Sequence, residues 1–357
     1  MPTAILAITR NGAQLGARLA GGLPGCTLHV LRKFHGAAGK GAQPFDDLRE
    51  CLSGLWREGS DLVCIMASGI VVRMVAPLLD AKDRDPAVVV MDDAGSFAIS
   101  LLSGHLGGAN ELARRCAWLV GARPVITTAT DANGLPSFDL LAKEQGWEID
   151  NLAGVKLLNS LLLDNQPIAV VDPTDRVRTW FHGTGRLSFF GTFAHAIKSD
   201  AQGFLFVTNR QLPPQSTPDN LLILRPRNLV LGIGCNSSTP TDEIEEFVLS
   251  HLKRLFLSPR SVGIVATAAA KRNEPGLIEF ARRLSAPLLC FESEQLNSIR
   301  TPSPPSEHAL AAIGAAGVAE PAALLAAGND RLLLKKVKSE NVTLAVAEMV
   351  EPRNDHG

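Results

Sequence analysis

Short apolar runs alternate with amphipathic stretches from the first residues of the chain. Residues 3–9, 27–31, 62–66, 87–91, 97–101 and 124–127 are rich in Val, Ile, Leu, Ala and Met, too short for helices, and bounded by polar turns, so they predict strands. Between them, residues 14–20, 45–57, 70–79 and 110–120 place apolar side chains at three- and four-residue spacing and predict helices. This alternation predicts a mostly parallel sheet flanked by helices. One pair departs from it. Asp92-Asp93-Ala94-Gly95 is a turn tetrapeptide between two apolar runs, which predicts a hairpin and one antiparallel strand pair.

From residue 137 the texture changes. Two helical patterns, 138–145 and 153–163, precede the apolar runs 168–171, 187–193, 204–207 and 221–224, which predicts a small α+β middle unit. Pro226, Arg227 and Asn228 then suit a linker. The last third restarts the alternation, with strands predicted at 229–233, 262–267, 288–291 and 342–348 and helices at 241–256 and 276–284. Thr241, Asp242 and Glu243 supply the capping hydroxyl and early acids that a helix start favours. The Pro- and Ser-rich stretch 301–307 predicts a mobile loop. The expected organisation is therefore an α/β chain in three parts: an N-terminal domain at 1–136, a middle region at 137–226, and a separate C-terminal α/β domain at 227–350. Residues 351–357 form a polar tail.

Composition narrows the function classes. With 35 Lys+Arg against 36 Asp+Glu in 357 residues, the chain has no overall positive field for nucleic acid. Aromatic residues make up only 5%, with no Tyr, so stacking platforms for bases are poorly supplied. The six cysteines lie far apart without a CxxC, mostly in apolar surroundings, which fits small packing residues in a reducing cytoplasm. Residues 1–10 read as a first strand rather than a leader, and no apolar run approaches the length of a membrane span. His and Cys spacings do not suit zinc, and neither a GxSxG elbow nor a phosphate-binding P-loop motif occurs. No protein-bound metal is expected.

Four loops carry candidate chemistry, three of them at the C-terminal ends of predicted strands, where open α/β sheets bind ligands. Ser68-Gly69 runs from strand into helix, so its amides suit an anion, and Arg73 follows one turn later with a guanidinium fork for a carboxylate. The same residues also make an ordinary tight turn with a surface arginine. The strongest signal is Ser103-Gly104-His105-Leu106-Gly107-Gly108-Ala109-Asn110-Glu111. His105 titrates near neutrality and suits acid–base chemistry, Glu111 is placed to orient it, and Ser103 with the amides near Gly107 and Gly108 suits an oxyanion. A glycine-rich turn whose histidine only caps a neighbouring strand is the plain alternative. Thr127, Thr128 and Asp131 offer polar contacts at a strand end, although such residues commonly build their own turn. Gly232-Ile233-Gly234-Cys235 tempts a dinucleotide reading, but Ser237 stands where the third glycine belongs, and no acid ends the next strand. Cys235 beside a helix start is a candidate for a lowered thiol pKa, or simply a packing residue. Lys271 and Glu274 are a further polar pair.

These stretches resemble the cobalt-precorrin-5A hydrolase family, often called CbiG. The likeness is densest from Ser68 to Asp131, through Arg73, Asp85-Pro86-Ala87-Val88-Val89-Val90, Leu102-Ser103-Gly104-His105-Leu106-Gly107-Gly108-Ala109-Asn110-Glu111 and Pro124-Val125-Ile126-Thr127-Thr128-Ala129-Thr130-Asp131. It is looser through Gly232-Ile233-Gly234-Cys235, Glu274-Pro275-Gly276 and Lys338-Ser339-Glu340-Asn341. Asn236-Ser237-Ser238 stand where the family usually has basic residues and a glycine. The resemblance implies a hydrolase of anaerobic cobalamin biosynthesis. Water opens the ring A δ-lactone of a cobalt-bound tetrapyrrole, and carbon–carbon cleavage then releases acetaldehyde and leaves the ring-contracted product. It implies a corrinoid substrate that carries its own cobalt, and leaves neighbouring pathway enzymes or a second copy of the chain as possible partners. On that reading His105, Glu111 and Ser103 are catalytic. Ser68, Gly69, Arg73, Gly104, Gly107, Gly108, Asn110, Thr127, Thr128, Asp131, Gly234 and Cys235 bind substrate. A non-catalytic carrier of the same intermediate is the rival reading, and a nucleotide-dependent enzyme a more distant one.

Overall fold

The computed structural model describes residues 2–81, 84–105, 107–212 and 218–349, so the polar tail lies outside it. The chain forms two compact units, Met1–Leu140 and Leu141–Gly357.

The first unit is built on a seven-stranded sheet. Its strands are β1 (Thr3–Ala7), β2 (Thr27–Leu31), β3 (Gln43–Phe45), β4 (Asp61–Ile65), β5 (Val88–Met91), β6 (Phe97–Leu102) and β7 (Arg123–Val125), in the order β3-β2-β1-β4-β5-β6-β7. Successive side chains of a strand face opposite ways. Accordingly Ile5, Val63, Ile65, Val89 and Met91 pack under the helices Arg10–Gly22 and Ala109–Val120. Ala4, Leu6, Leu62, Cys64, Val88 and Val90 pack under Leu48–Arg57 and Ser68–Val75. Burial on both faces explains why these strands read as unbroken apolar runs.

All neighbours in this sheet are parallel except β5 and β6. The hairpin expected at residues 92–95 is present. The Asp92 carboxylate accepts from the N–H groups of Ser96 and Phe97 at 3.1 and 2.7 Å, which closes the turn. The pairing shifts register between Val88–Leu102 and Val89–Ser100, a bulge that places one extra residue, Leu101, in β6. Because β6 runs backwards, its end at Leu102 lies beside Val88, whereas β4 and β5 end together at Ile65 and Met91.

The second unit holds two sheets of five strands each. In one, β8 (Glu148–Ile149), β9 (Ile168–Val171), β10 (Leu187–Phe189), β11 (Gly203–Val207) and β12 (Leu221–Arg225) lie in the order β10-β9-β11-β12-β8, parallel except at the short β8 edge. In the other, β13 (Leu229–Cys235), β14 (Val262–Ala268), β15 (Leu288–Phe291), β16 (Leu332–Lys338) and β17 (Val342–Glu348) lie in the order β15-β14-β13-β17-β16. The helices Thr241–Arg254 and Pro275–Arg283 cover one face of this sheet, and the alanine-rich helix Ala319–Ala327 covers the other.

The linker expected at residues 226–228 is firmly held, and residues 301–307 are anchored rather than mobile. Arg225, 4% exposed, binds Asp150 and the carbonyls of Thr208 and Arg210, while Arg227 donates to the carbonyls of Val262, Leu284 and Ser285. The Pro-rich stretch 301–307 is likewise tied down. Buried Glu320 accepts from both the N–H and the hydroxyl of Ser303, and from the N–H of Lys336 on β16.

Candidate active site

The glycine-rich loop begins where β6 ends, and its backbone shows why glycine is needed there. Ser103 takes a left-handed φ of 55° and Gly108 a φ of 91° to reverse the chain into the helix Ala109–Val120. A Cβ on Gly107 would collide with the Cβ and carbonyl of Ser103. The turn is closed by N–H donation from Gly108 to the His105 carbonyl, from Ala109 to Ser103, and from Asn110 to Gly104. Those amides are therefore spent within the loop. The oxyanion donor expected at Gly108 is not available.

His105 projects from this loop with its side chain 11% exposed, between two carboxylates. Its Nε2 lies 2.6 Å from Asp131 Oδ2 and 3.2 Å from the Thr130 hydroxyl, and its Nδ1 lies 3.2 Å from Asp139 Oδ2. Asp131 sits in the short helical turn Ala129–Ala132, after β7, and Asp139 in the first turn of the helix Phe138–Gln145. A carboxylate oxygen at each ring nitrogen calls for two N–H donors, which is the imidazolium form. The His105 pKa is accordingly raised. The Asp139 hydrogen bond contributes most, burial opposes it, and Asp131 adds to the rise.

Asp131 is held from every side. Its Oδ2 also accepts from Asn110 Nδ2 at 2.9 Å and the Thr128 hydroxyl at 2.8 Å, and its Oδ1 accepts from Arg114 at 2.5 Å. Burial alone would raise the Asp131 pKa. Arg114, Thr128 and His105 together outweigh it and hold the carboxyl below its ordinary range. Asn110, 4% exposed, spends its amide on Thr128 and Asp131, while its Oδ1 accepts from the Ser100 hydroxyl at 2.7 Å.

Of the expected site residues, the structure thus gathers Gly104, His105, Gly107, Gly108, Asn110, Thr128 and Asp131, with Thr127 exposed alongside. Others fall elsewhere. Glu111 does not orient the imidazole: its side chain is 78% exposed and lies 3.8 Å from Arg114, one turn along the helix surface. The Ser103 hydroxyl donates to the Asp85 carbonyl at 2.8 Å and closes the loop against the start of β5. Asn110 is a buried brace rather than a group that reaches a ligand.

The largest correction concerns Ser68, Gly69 and Arg73. They follow β4 and so lie at the edge where β5 ends, whereas the His105 loop lies at the edge where β5 begins. The length of β5 separates the two edges by at least about 10 Å. The 68–73 turn and the 103–111 loop, both expected to bind substrate, therefore do not line one pocket. Arg73 folds back to donate to the Gly69 carbonyl at 2.9 Å.

In the second unit, Gly232 and Gly234 serve packing. A Cβ on Gly232 would strike the Ala319 carbonyl, and one on Gly234 would sit 2.5 Å from the Thr343 hydroxyl. Burial pushes the Cys235 thiol up, with Lys271 only partly offsetting it, so Cys235 is not an activated thiolate. Lys271 instead links the Ser237 hydroxyl at 3.1 Å to Glu274 at 3.3 Å. Glu274, 9% exposed, also accepts from the Ser238 N–H beside a depression of about 430 Å³.

Asp139 was missed by sequence reasoning, yet it left a signal. Phe138, Leu141 and Ala142 are fully or almost fully buried, and Asp139 shares their inward side of the helix rather than the solvent side. An acid at an apolar phase invites a partner.

A chain with doubly covered parallel sheets and a histidine clamped by carboxylates in a glycine-rich turn belongs with the α/β proteins that carry a built polar site. Residues 50–131, 136–226 and 229–347 match, in order, the families described as Cobalamin synthesis G N-terminal, Cobalamin biosynthesis central region and Cobalamin synthesis G C-terminus. The chain is 35% identical over 353 residues to the cobalt-precorrin-5A hydrolase of Priestia megaterium, spanning 96% of this chain and 94% of that protein. It is 32% identical over 361 residues to the protein of that name from Salmonella typhimurium, spanning 96% of each. With a probable cobalt-precorrin-5A hydrolase of Methanocaldococcus jannaschii it shares 26% identity over 302 residues, 82% of this chain and 86% of that one. This chain belongs to the CbiG family of cobalamin biosynthesis.

Proposed function

We propose that the protein is a cobalt-precorrin-5A hydrolase, opening the ring A lactone of its cobalt-bearing substrate and releasing acetaldehyde by the carbon–carbon cleavage that follows. The observation that carries this reading is likeness at about a third identity, along nearly the whole chain, to two proteins of that name. The chemistry is assigned to the His105 cluster. A substrate oxygen takes the place of Asp131 at Nε2, and Asp131 stays anchored by Asn110, Thr128 and Arg114. As water adds to the lactone carbonyl and the carbon–oxygen bond of the ring breaks, the imidazolium gives its Nε2 proton to the departing alkoxide, and the protons of the added water pass to solvent, leaving the ring A acetate as a carboxylate. The neutral ring afterwards takes up the hydroxyl proton as the exocyclic carbon departs as an aldehyde, and the electron pair of the broken carbon–carbon bond passes to the macrocycle. His105 therefore starts the cycle as an acid, and works as a base only after it has given up its proton.

Gly104 and Gly107, in the loop that carries His105, and the exposed Thr127, next to Thr128, would face the lactone-bearing side of the substrate. Arg114, with its side chain 46% exposed, is the cation placed to meet one of its acetate arms. Ser68, Gly69 and Arg73, at the far edge, take no part in the bond-breaking step.

The test is acetaldehyde release from the lactone substrate by purified protein. His105→Gln is expected to lose about 10²- to 10⁴-fold in rate. A rate within a few-fold of the parent chain sinks the assignment, and the absence of any acceleration by the parent chain favours a carrier instead.

A further inference from the structure

The two carboxylates at His105 are not equivalent. Asp131 is saturated, with three donors on Oδ2, a guanidinium on Oδ1, and a positive partner in Arg114 that answers its charge. Asp139 meets the opposite ring nitrogen from a different element, with its side chain 7% exposed. The two also come from different segments of the family. Asp131 is the last residue of the N-terminal match, and Asp139 lies near the start of the central match.

Other charged groups around the ring are placed less directly. Arg114 reaches it only through Asp131, and Glu111 is turned to solvent. The Asp85 carboxylate accepts from the Asp80 N–H rather than facing the ring. Lys143 lies one turn beyond Asp139 on the same helix and is exposed. Among the contacts described at the cluster, those from Thr128, Thr130 and Asn110 are neutral.

We infer that Asp139 is the positioning residue that keeps His105 doubly protonated and fixes its ring plane, whereas Asp131 is a structural anchor for the loop. The inference rests on the reading of His105 as the group acting on the lactone. Its chemical content is a division of labour. When the Nε2–H bond breaks and the proton passes to the alkoxide, the neutral ring keeps its other proton on Nδ1, where Asp139 accepts it. The tautomer left behind is thus the one with Nε2 bare and able to take up the next proton.

Histidine ring ¹⁵N spectra of the full chain test this, with His105→Gln identifying the signal. In the parent chain both His105 nitrogens are expected to read as protonated at neutral pH; one bare nitrogen overturns the inference without any variant of Asp139. In Asp139→Asn the ring midpoint is expected to fall by about one pH unit or more, and the alkaline limb of kcat/KM for acetaldehyde release to move down with it. Asp139→Glu is expected to restore part of both. Asp131→Asn is expected to lower the ring midpoint too, and to lower the thermal midpoint more than Asp139→Asn does, because it loosens four donors at once. An unmoved ring midpoint in a folded Asp139→Asn chain overturns the role of Asp139 and leaves the proposed function standing. Full activity of His105→Gln defeats the assignment of the chemistry to His105, while leaving the ring titration of the parent chain as predicted.

Discussion

At the residue scale, the glycines of the 103–108 loop do two separable jobs. A methyl group on Gly107 meets the Ser103 backbone, which cannot yield without opening the turn. Gly107→Ala is therefore expected to cost about 1–3 kcal/mol and to lower the thermal midpoint of the chain. On Gly104 the same methyl would sit 2.8 Å from Asn110 Oδ1 and 3.1 Å from Thr128 Cγ2, so it presses on the brace behind Asp131. Gly104→Ala is expected to lower the rate of acetaldehyde release more than it lowers stability; an unchanged rate with a large loss of stability would contradict that ordering. The importance of His105 was legible in the sequence, because three glycines beside one histidine is a costly arrangement for a plain turn. The identity of its partners was not. Glu111 looked right by proximity along the chain, but three- and four-residue spacing on a helix points a side chain at its own helix neighbours, here Arg114.

At the element scale, the buried carboxylate of Glu320 holds Ser303 and the edge strand β16 together, an anchor that a reading of Pro and Ser content as mobility overlooks. Removing it by Glu320→Ala leaves three half-buried donors unanswered, at up to about 1–3 kcal/mol each. Limited proteolysis is expected to cut within residues 298–306 faster in that variant, and an unaltered cleavage pattern would show that the proline-rich backbone holds itself. Most strands and helices were legible, since doubly covered strands and one-sided helices leave strong periodic signals. The misses have physical reasons. The strand β16 is lysine-rich at an edge, a device that protects an open sheet side and hides its strand character. The helix Ala319–Ala327 has almost no polar side, so it lacks the contrast that marks a helix. Its close seat on β13 is also what Gly232 is for, which is why a glycine pair resembling a cofactor turn turned out to be a packing device.

At the scale of the whole molecule, the His105 cluster couples the stability of the first unit to pH. Imidazole protonation is stronger in the folded chain, so its contribution is complete below the ordinary histidine range and is lost as pH rises through the folded value. Asp131 runs the other way: its contribution is complete above the ordinary carboxylate range and is lost as pH falls through its lowered folded value. The first unit is therefore expected to be most stable in the weakly acidic window between them. Thermal melts across that range check it. His105→Gln is expected to flatten the alkaline side of the curve, and a curve with the same alkaline slope as the parent chain would show that other groups set it.

The reversed strand β6 has a consequence for how such a protein diverges. A sheet with every strand aligned would present all its working loops on one rim, where each substitution risks disturbing its neighbours. Here the imidazole stands on one rim and the 68–73 turn on the other, with rigid sheet between. A change on either rim therefore reaches the other only through the sheet, so each can be altered without deforming the loop opposite it.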